Sequence, residues 1–397
     1  MNRDPLDQAS ARRIIEQLGG SGTPPEWGLQ FFTVGVEEYL QVLKDEYLET
    51  FIQSGGSAFK MVVGSYGGGK THFLYCLRDI AWEAGYAVSY VSLRTDECPF
   101  HRLDRVYAAI ARGIMPPLNR EELLSGYEKG ISSFIRCWAA RTMCTEQASL
   151  GAQLDLEQIE SISFRNAVLR ALEFSREENE KFHSVCQWLL AEGYDASIHK
   201  RLGILERVDR RNAFCLMRSL AQWVRAIGYK GLVVLLDEAE STPSLSTKNR
   251  VQHLSNLREL IDQCAESRLQ GFLVCYAVPD IEFIQGGTNV YVALQQRLET
   301  IFEEINPSGV KIMLEYLDED HEDFLSRLGE KLSYVYQIAY ATSLPPDKVT
   351  QTTEKVMNKA LEERYAGIGY KRLFVQKLVR AFHLLRARGE VPSEDEL

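Results

Sequence analysis

The sequence predicts an α/β fold built on a parallel sheet, and three observations carry that prediction. The apolar run 58–63 leads into a glycine-rich segment at 64–71 and then into helical spacing, which is the order strand, loop, helix. The segment 85–93 alternates and is rich in β-branched residues, as the next strand of a βαβ unit would be. The continuous apolar run 231–236 is typical of a strand that is buried on both faces.

The segment 64–71 reads Gly-Ser-Tyr-Gly-Gly-Gly-Lys-Thr, a complete G-x-x-x-x-G-K-T pattern. In this pattern backbone N–H groups turn toward a phosphate, the lysine reaches the β- and γ-phosphate oxygens, and the threonine hydroxyl ligates Mg²⁺. We therefore expect a site for ATP and Mg²⁺, with Lys70 in a catalytic role and Thr71 as a metal ligand. The predicted nucleotide contacts in this segment are Gly64, Ser65, Tyr66, Gly67, Gly68, Gly69, Lys70, Thr71 and His72.

Two acids follow the apolar run 231–236. We interpret this strand as the second half of the nucleotide site, with Asp237 in the Mg²⁺ shell and Glu238 polarising the attacking water. The alternative is a solvated strand end, where acidic residues are common. An Asp-Glu pair favours hydrolysis over binding alone.

A short apolar stretch before the glycine-rich segment turns at Gly35 into the acidic first turn of a helix. Phosphate-loop ATPases of the AAA+ and STAND type carry a similar V-G-R-E box that contacts adenine. Val36 takes the place of the arginine here, so we carry over only the backbone role, with Val34 and Gly35 as nucleotide contacts. An ordinary helix start is the alternative.

Two arginines lie where AAA+ ATPases place functional ones. Arg297 follows the predicted strand 271–278, in the region of an arginine finger that reaches a neighbouring subunit's γ-phosphate. A surface arginine is the alternative. Arg372 begins the last long helical segment, where a sensor-II arginine that contacts the nucleotide would lie.

Composition and charge narrow the class of protein. The chain has 397 residues, 45% of them hydrophobic, and a net charge of −10, which argues against tight nonspecific DNA binding by the whole surface. Its eight cysteines have no metal-finger spacing, and no apolar run has the length of a membrane span, so we expect a cytoplasmic protein with no membrane partner. A local basic patch at Lys377, Arg380 and Arg386 is a candidate DNA contact, although a solvated helix face is the alternative.

The expected organisation is a nucleotide-binding core interrupted by a helical insertion and followed by a helical lid or domain. Segment 7–18 has helical spacing that stops at Gly19-Gly20. The predicted units are an N-terminal helix with the adenine-side segment at 1–50, the first half of the core at 51–115, the helical insertion at 116–210, the second half of the core at 211–305 and the helical C-terminal unit at 306–397.

Several of these segments together resemble a known family. They are the stretch 11–16, Phe-Thr-Val-Gly at 32–35, the glycine-rich segment continuing to His-Phe-Leu, the strand ending at Leu93 with His101 and Tyr107 beyond it, and Leu-Leu-Asp-Glu-Ala-Glu at 235–240. They look like the BREX-type ATP-binding proteins (BrxC/BrxD-like), AAA+-related ATPases of bacterial and archaeal phage-defence islands.

The resemblance implies a P-loop NTPase core and an oligomer with ATP-bridged subunit interfaces. It also implies a DNA-processing partner such as an Lhr-like helicase, and ATP-dependent DNA binding.

An AAA+ loader or regulator is one of several classes of P-loop protein with motifs of this kind. A STAND-like nucleotide switch, in which slow hydrolysis resets a sensing module, stays open. An ABC-type ATPase is excluded because its Leu-Ser-Gly signature, at 124–126, lies far from Asp237. A GTPase is excluded because Thr-Lys-Asn-Arg at 247–250 ends in the wrong charge for the guanine motif.

Overall fold

The structure is a computed structural model that describes residues 5–93, 98–143, 156–175, 180–238, 245–284, 289–303, 305–315, 320–363 and 369–397. Within these ranges six strands form one sheet, in the order β3-β2-β4-β5-β1-β6. The strands are β1 Ser57–Val63, β2 Ala87–Ser92, β3 Ile114–Met115, β4 Leu232–Asp237, β5 Phe272–Val278 and β6 Lys311–Met313. Neighbouring strands are parallel except for β2 and β3, which confirms the predicted α/β class and its mainly parallel sheet.

The central strands are buried on both faces, and alternate residues serve two separate cores. In β4, Val234 and Leu236 join one apolar cluster, whereas Val233 and Leu235 join the other. Because side chains of a strand alternate between the faces of a sheet, the molecule has helices on both sides of a central sheet. Asp237 is two residues beyond Leu235, so its side chain lies on the same face of the sheet as those of Val233 and Leu235.

Helices of the first layer pack on the face of Val234 and Leu236, and helices of the second layer pack on the opposite face. The first layer contains α4 Leu103–Gly113, α6 Ile131–Met143, α7 Ile162–Phe174, α8 Glu180–Leu189, α10 Ala213–Ala226, α11 Thr247–Ala265 and α12 Asn289–Arg297. The second layer contains α1 Gln8–Ser21, α2 Glu37–Val42 with the π-helix Leu43–Phe51, α3 Lys70–Glu83, α13 His321–Tyr340, α14 Pro346–Glu362 and α15 Tyr370–Arg388. Two short helices, α5 Arg120–Leu124 and α9 Ala196–His199, complete the described set. None of the helices in the described ranges is long and apolar enough to span a membrane.

The segment predicted as an insertion, 116–210, contains helices and turns and no strand among its described residues. Helical spacing of the residues continues over 121–137, but the structure has α5 and α6 with a turn between them. Gly126 and Gly130 adopt φ angles of +79° and +119°, which are not helical. Helix α5 therefore ends before Gly126, and α6 begins only after Gly130. The boundaries of the predicted units stay predictions.

Helix α1 extends further than the sequence interpretation placed it. The prediction that it stops at Gly19-Gly20 is wrong, because α1 continues to Ser21 and is capped by Gly22, whose φ is +64°. Gly19 instead permits close packing on α15, since a Cβ there would lie 2.6 Å from Val379 Cγ1. The glycine marks a helix contact, and the local pattern alone does not distinguish that from a helix end.

The short strand β6 was not expected, because the segment from 306 onward was interpreted as helical. It pairs with β1, and Lys60 of β1 holds the turn before it. Lys60 is 1% exposed, and its Nζ donates to Pro307 O at 2.9 Å, Gly309 O at 2.5 Å and Tyr47 OH at 2.7 Å. Burial lowers the pKa of Lys60 to about 7. A buried lysine therefore ties the C-terminal part of the chain to the edge of the central strands.

The α1–α15 contact gives a stability prediction with a matched control. Gly19→Ala should destabilise the protein by about 1–3 kcal/mol, because the added methyl meets the stiff Val379 side chain. Gly20→Ala has nothing within 4 Å of its added Cβ and should stabilise α1 by up to about 1 kcal/mol. Urea unfolding of both variants checks the difference. Equal effects of the two substitutions would contradict the close contact.

Candidate functional site

A glycine-rich loop, Gly64 to Gly69, connects the carboxyl end of β1 to the first residue of α3. Gly67 and Gly69 have φ angles of +76° and +98°, which L side chains rarely adopt. Gly69 is the N-cap of α3 and has no side chain that could occupy the N–H groups of the first helical turn. A helix start of this kind is an anion-binding position.

The start of α15 lies directly against this loop. A Cβ on Gly67 would be 3.1 Å from Arg372 Cβ, and a Cβ on Gly369 would be 2.6 Å from the carbonyl carbon of Gly67. The Arg372 guanidinium lies 4.8 Å from the centre of the Tyr66 ring, a cation–π contact. Its buried Nε makes no hydrogen bond to any described residue. Two segments that are far apart in sequence thus meet at one point.

Lys70 lies at the base of the loop with its side chain folded back over it. Lys70 is 6% exposed, and its Nζ donates to Gly64 O at 2.9 Å and Ser65 O at 3.1 Å. These carbonyl contacts satisfy part of the donor capacity of a buried ammonium group. They also keep its charge beside the N-terminus of α3.

Asp237 lies at the carboxyl end of β4 and is 2% exposed. Its Oδ2 accepts hydrogen bonds from Thr71 Oγ1 at 2.7 Å and from Tyr90 OH at 2.6 Å. Its Oδ1 accepts from the backbone N–H of Glu238 at 2.8 Å. The structure therefore brings together Thr71 and Asp237, as the sequence predicts, and adds a tyrosine from β2 that the sequence analysis missed.

Glu238 has a left-handed backbone conformation, with φ of +59°. This conformation is uncommon for a residue other than glycine and is concentrated at functional sites. Its Oε2 accepts a hydrogen bond from Ser92 Oγ, at the end of β2. Glu238 lines the same cavity as Asp237 and the glycine-rich loop.

These groups form the polar end of an open cavity of about 200 Å³. The polar lining consists of the loop from Tyr66 onward, Lys70, Thr71, His72, Asp237, Glu238, Lys371 and Arg372. The apolar lining consists of Leu18, Pro24, Phe32, Val34, Val36, Leu314, Phe324, Leu328 and Val375. A cavity with an apolar wall and a few convergent polar groups has the composition of a small-molecule site. Gly64 and Ser65, which were predicted as nucleotide contacts, do not line it, and their carbonyls instead accept from Lys70.

The segment predicted to contact adenine borders the apolar side of the cavity. Val34 lines it, whereas Gly35 provides the turn, with φ of +81°, before α2. Thr33 Oγ1 donates to Leu29 O at 2.8 Å, so it must accept from His72 Nε2, 3.0 Å away. Burial, with a smaller effect of Lys371, lowers the pKa of His72 to about 4. His72 is therefore a neutral imidazole at pH 7 that joins the loop to the adenine-side segment.

Arg297 does not line the cavity. It ends α12, where its Nε lies 2.5 Å from Asp262 Oδ1 and its Nη2 lies 3.1 Å from Asp262 Oδ2. Its Nη1 donates to Ala293 O at 2.8 Å. The predicted action of Arg297 on a neighbouring subunit stays a prediction. For that action, the two-point contact of its guanidinium with Asp262 must first break.

The basic residues of α15 do not share one face. Lys377 Nζ donates to Leu397 O at 2.7 Å and to Glu363 at 3.2 Å, while Arg386 lies 3.9 Å from the centre of the Tyr340 ring. Arg380 is exposed. Two of these three side chains are thus engaged on different neighbours, and the structure does not support them as one continuous patch.

Sequence reasoning missed three parts of the site for different reasons. Tyr90 and Ser92 were seen only as members of a strand, although their spacing by two places them on one face. The apolar residues that α1, α13 and α15 contribute to the cavity wall had no motif to mark them. Lys371 was part of a basic helix whose orientation the sequence does not give.

Comparison with known proteins gives one match. The family model for the BREX system ATP-binding protein BrxC/D matches residues 6–397, nearly the whole chain. No curated protein and no solved structure matches it. The family description agrees with a cavity that contains a glycine-rich loop and two acids at its polar end. On this match the chain belongs to the BREX system ATP-binding protein BrxC/D family.

Proposed function

We propose that the chain is a phage-defence ATPase that binds ATP in the cavity and hydrolyses it. The observation that carries the proposal is the convergence of Lys70, Thr71, Asp237 and Glu238 at the polar end of one cavity whose other wall is apolar. A P-loop NTPase needs this combination, because the phosphates carry the charge and the base is largely apolar. Membership of a family of ATP-binding proteins supports it independently.

The two ends of the cavity match the two ends of ATP. The loop amides and Lys70 would hold the β- and γ-phosphates, while Lys371 and Arg372 add positive charge from α15. The adenine would lie against the apolar wall near Val34 and Phe32. In this complex Lys70 exchanges a carbonyl acceptor of the loop for a phosphate oxygen.

The residues present fit a magnesium ion. The Thr71 hydroxyl and the Asp237 carboxylate are hard oxygen donors only 2.7 Å apart, and Mg²⁺ is usually held by one or two such groups together with phosphates and water. When bound, Mg²⁺ would neutralise charge that develops on the phosphate oxygens. Thr71 and Asp237 are the proposed holders.

Glu238 is the proposed general base. Its carboxylate takes a proton from a water molecule as the water oxygen bonds to the γ-phosphorus and the bond from that phosphorus to the ADP oxygen breaks. The two carboxylates have different partners, because Glu238 accepts from Ser92 whereas Asp237 accepts from Thr71 and Tyr90. The two adjacent acids can then do different work.

Lys70→Ala should abolish measurable ATP binding while leaving the fold intact, because Lys70 supplies the positive charge at the base of the loop. Isothermal titration calorimetry with ATP measures the effect, and circular dichroism checks the fold. The control is Lys200→Ala, at an exposed lysine outside the cavity lining. Near-native affinity in a folded Lys70→Ala protein would overturn the site.

Glu238→Gln should bind ATP with Mg²⁺ but hydrolyse it at least ~100-fold more slowly, the usual effect of removing a general base. Glutamine preserves the size of the side chain and can still accept a hydrogen bond from Ser92. Phosphate release under saturating ATP provides the measurement. Unchanged turnover would assign the base to another residue.

We further propose that the ATPase is of the AAA+ type and acts as a homo-oligomer. In this oligomer ATP lies between neighbouring subunits and bridges them. The mainly parallel sheet, with the glycine-rich loop at the carboxyl end of β1, supports the class. Arg297 is the candidate finger that would reach across such an interface, after leaving Asp262. A STAND-like nucleotide switch is the alternative.

Mixing tests the role of Arg297 across the interface. Arg297→Ala subunits and Glu238→Gln subunits should each be nearly inactive, and their mixture should recover activity if the arginine acts in trans. Asp262→Ala is the matched control, because it breaks the same two-point contact without removing the arginine. Equal losses of thermal stability in Arg297→Ala and Asp262→Ala, with no recovery on mixing, would leave Arg297 a structural residue. Light scattering that shows a lasting monomer with ATP would favour the switch.

The proposed partner is a DNA-processing protein of the same defence system, such as an Lhr-like helicase, which this chain would load or regulate. Family membership supports a defence-system partner. Direct, ATP-dependent DNA binding is a weaker proposal, because Lys377 and Arg386 contact different parts of the C-terminal unit. An oligomer would gather the exposed arginine Arg380 from several copies.

A further inference from the structure

Strand β2 presents two hydroxyl groups to the two acids at the end of β4. Tyr90 and Ser92 are two residues apart, so their side chains leave the same face of the strand. Ser92 is the direct neighbour of Asp237 in the parallel pairing of β2 with β4. One hydroxyl donates to Asp237 and the other to Glu238.

Tyr90 is built into its contact with Asp237. Its ring lies 5.0 Å from that of Tyr75 on α3, which restricts its orientation. Its hydroxyl lies 2.6 Å from Asp237 Oδ2 and donates to that oxygen. The acceptor is a carboxylate, and such charge-assisted hydrogen bonds are among the stronger ones in proteins.

The shared acceptor atom links Tyr90 to Thr71. Both hydroxyls donate to Asp237 Oδ2, at 2.6 Å for Tyr90 and 2.7 Å for Thr71. Because the proton of Thr71 is directed at Asp237, the lone pairs of its oxygen are directed away from that carboxylate. Fixing the carboxylate therefore also fixes the hydroxyl that would hold the metal.

Ser92 acts on the neighbouring acid. Glu238 is itself a left-handed residue just after the end of β4, and Ser92 Oγ donates to its Oε2. A glutamate has three side-chain torsions, so a hydrogen bond that fixes one oxygen restricts where the other can meet a water molecule.

We propose that β2 supplies two positioning residues for the site, Tyr90 for the metal-binding pair Thr71 and Asp237, and Ser92 for the general base Glu238. The inference rests on the proposed ATPase function and divides it into two separable effects. Without the Tyr90 hydroxyl, a higher Mg²⁺ concentration is needed to promote nucleotide binding. Loss of the Ser92 hydroxyl slows turnover without changing that dependence.

The Tyr90 half is tested by nucleotide binding, without any need for turnover. Titration of a fluorescent ADP is carried out in EDTA and over a range of Mg²⁺ concentrations. Tyr90→Phe keeps the ring and removes only the hydroxyl. The Mg²⁺ concentration that gives half of the increase in ADP affinity should rise roughly 10-fold or more, as is typical when a partner of a metal ligand is lost. The affinity for ADP in EDTA should be unchanged. Tyr86→Phe is the matched control, because that buried tyrosine, just before β2, donates to Leu48 O instead.

The Ser92 half is tested by kinetics at saturating ATP and Mg²⁺. Ser92→Ala should lower kcat roughly 10-fold or more with an unchanged Mg²⁺ titration, and Ser92→Thr, which restores a hydroxyl, should recover much of the rate. Ser89→Ala is the control on the opposite face of the same strand, where Ser89 Oγ donates to Ile110 O at 2.8 Å. A merely structural effect would lower thermal stability in Ser92→Ala and Ser89→Ala alike and leave kcat unaffected.

The outcomes separate this inference from the proposed function. If the wild-type protein binds and hydrolyses ATP but Tyr90→Phe and Tyr86→Phe give the same Mg²⁺ titration, the Tyr90 role is overturned and the ATPase stands. If Ser92→Ala and Ser92→Thr keep the wild-type kcat, the Ser92 role is overturned in the same way. If the wild-type protein binds no nucleotide in calorimetry, the proposed function itself fails.

Discussion

The buried carboxylate of Asp237 is the constraint on which the arrangement of the site depends. It is 2% exposed, and moving a carboxylate out of water costs several kcal/mol unless donors replace the lost hydration. The donors are the hydroxyls of Thr71 and Tyr90 and the N–H of Glu238. They belong to α3, β2 and the end of β4, so satisfying one charge fixes the loop-bearing helix against two parallel strands.

The second constraint is the close approach of α15 to the glycine-rich loop. A side chain at Gly369 would collide with the loop backbone, and one at Gly67 would be crowded against α15 and strained by the positive φ. Glycine at both positions therefore lets the helix start lie where it does. This contact places Arg372 over Tyr66 and brings the apolar residue Val375 into the cavity wall. Helix α15 therefore contributes both to the polar end of the cavity, through Lys371 and Arg372, and to its apolar wall, through Val375.

Polar groups of the site are largely satisfied by the protein itself. Lys70 donates to two loop carbonyls, and Glu238 accepts from Ser92. This accords with the high cost of leaving a buried charge without partners. A ligand at this site must exchange such bonds for its own, and glycines in the loop make its carbonyls and amides accessible for that exchange.

Much of the site could be predicted because its central parts are local in sequence. The loop 64–71 and the acids Asp237 and Glu238 each follow a strand that is buried on both faces, and such strands read as continuous apolar runs. Parallel strands end at one edge of the sheet, so the two motifs had to lie near each other. The α/β class follows from the same patterns.

What the sequence by itself determined about this protein was its class, its glycine-rich loop and its pair of acids, because each is encoded by a few consecutive residues. Only the tertiary structure decided that Gly19 is a helix contact, that Tyr90 and Ser92 face the acids, and that β6 joins the sheet. These features depend on which residues meet across strands and layers. A pairing of residues remote in sequence leaves no local signature, since the same glycine, tyrosine or serine fits many other environments equally well.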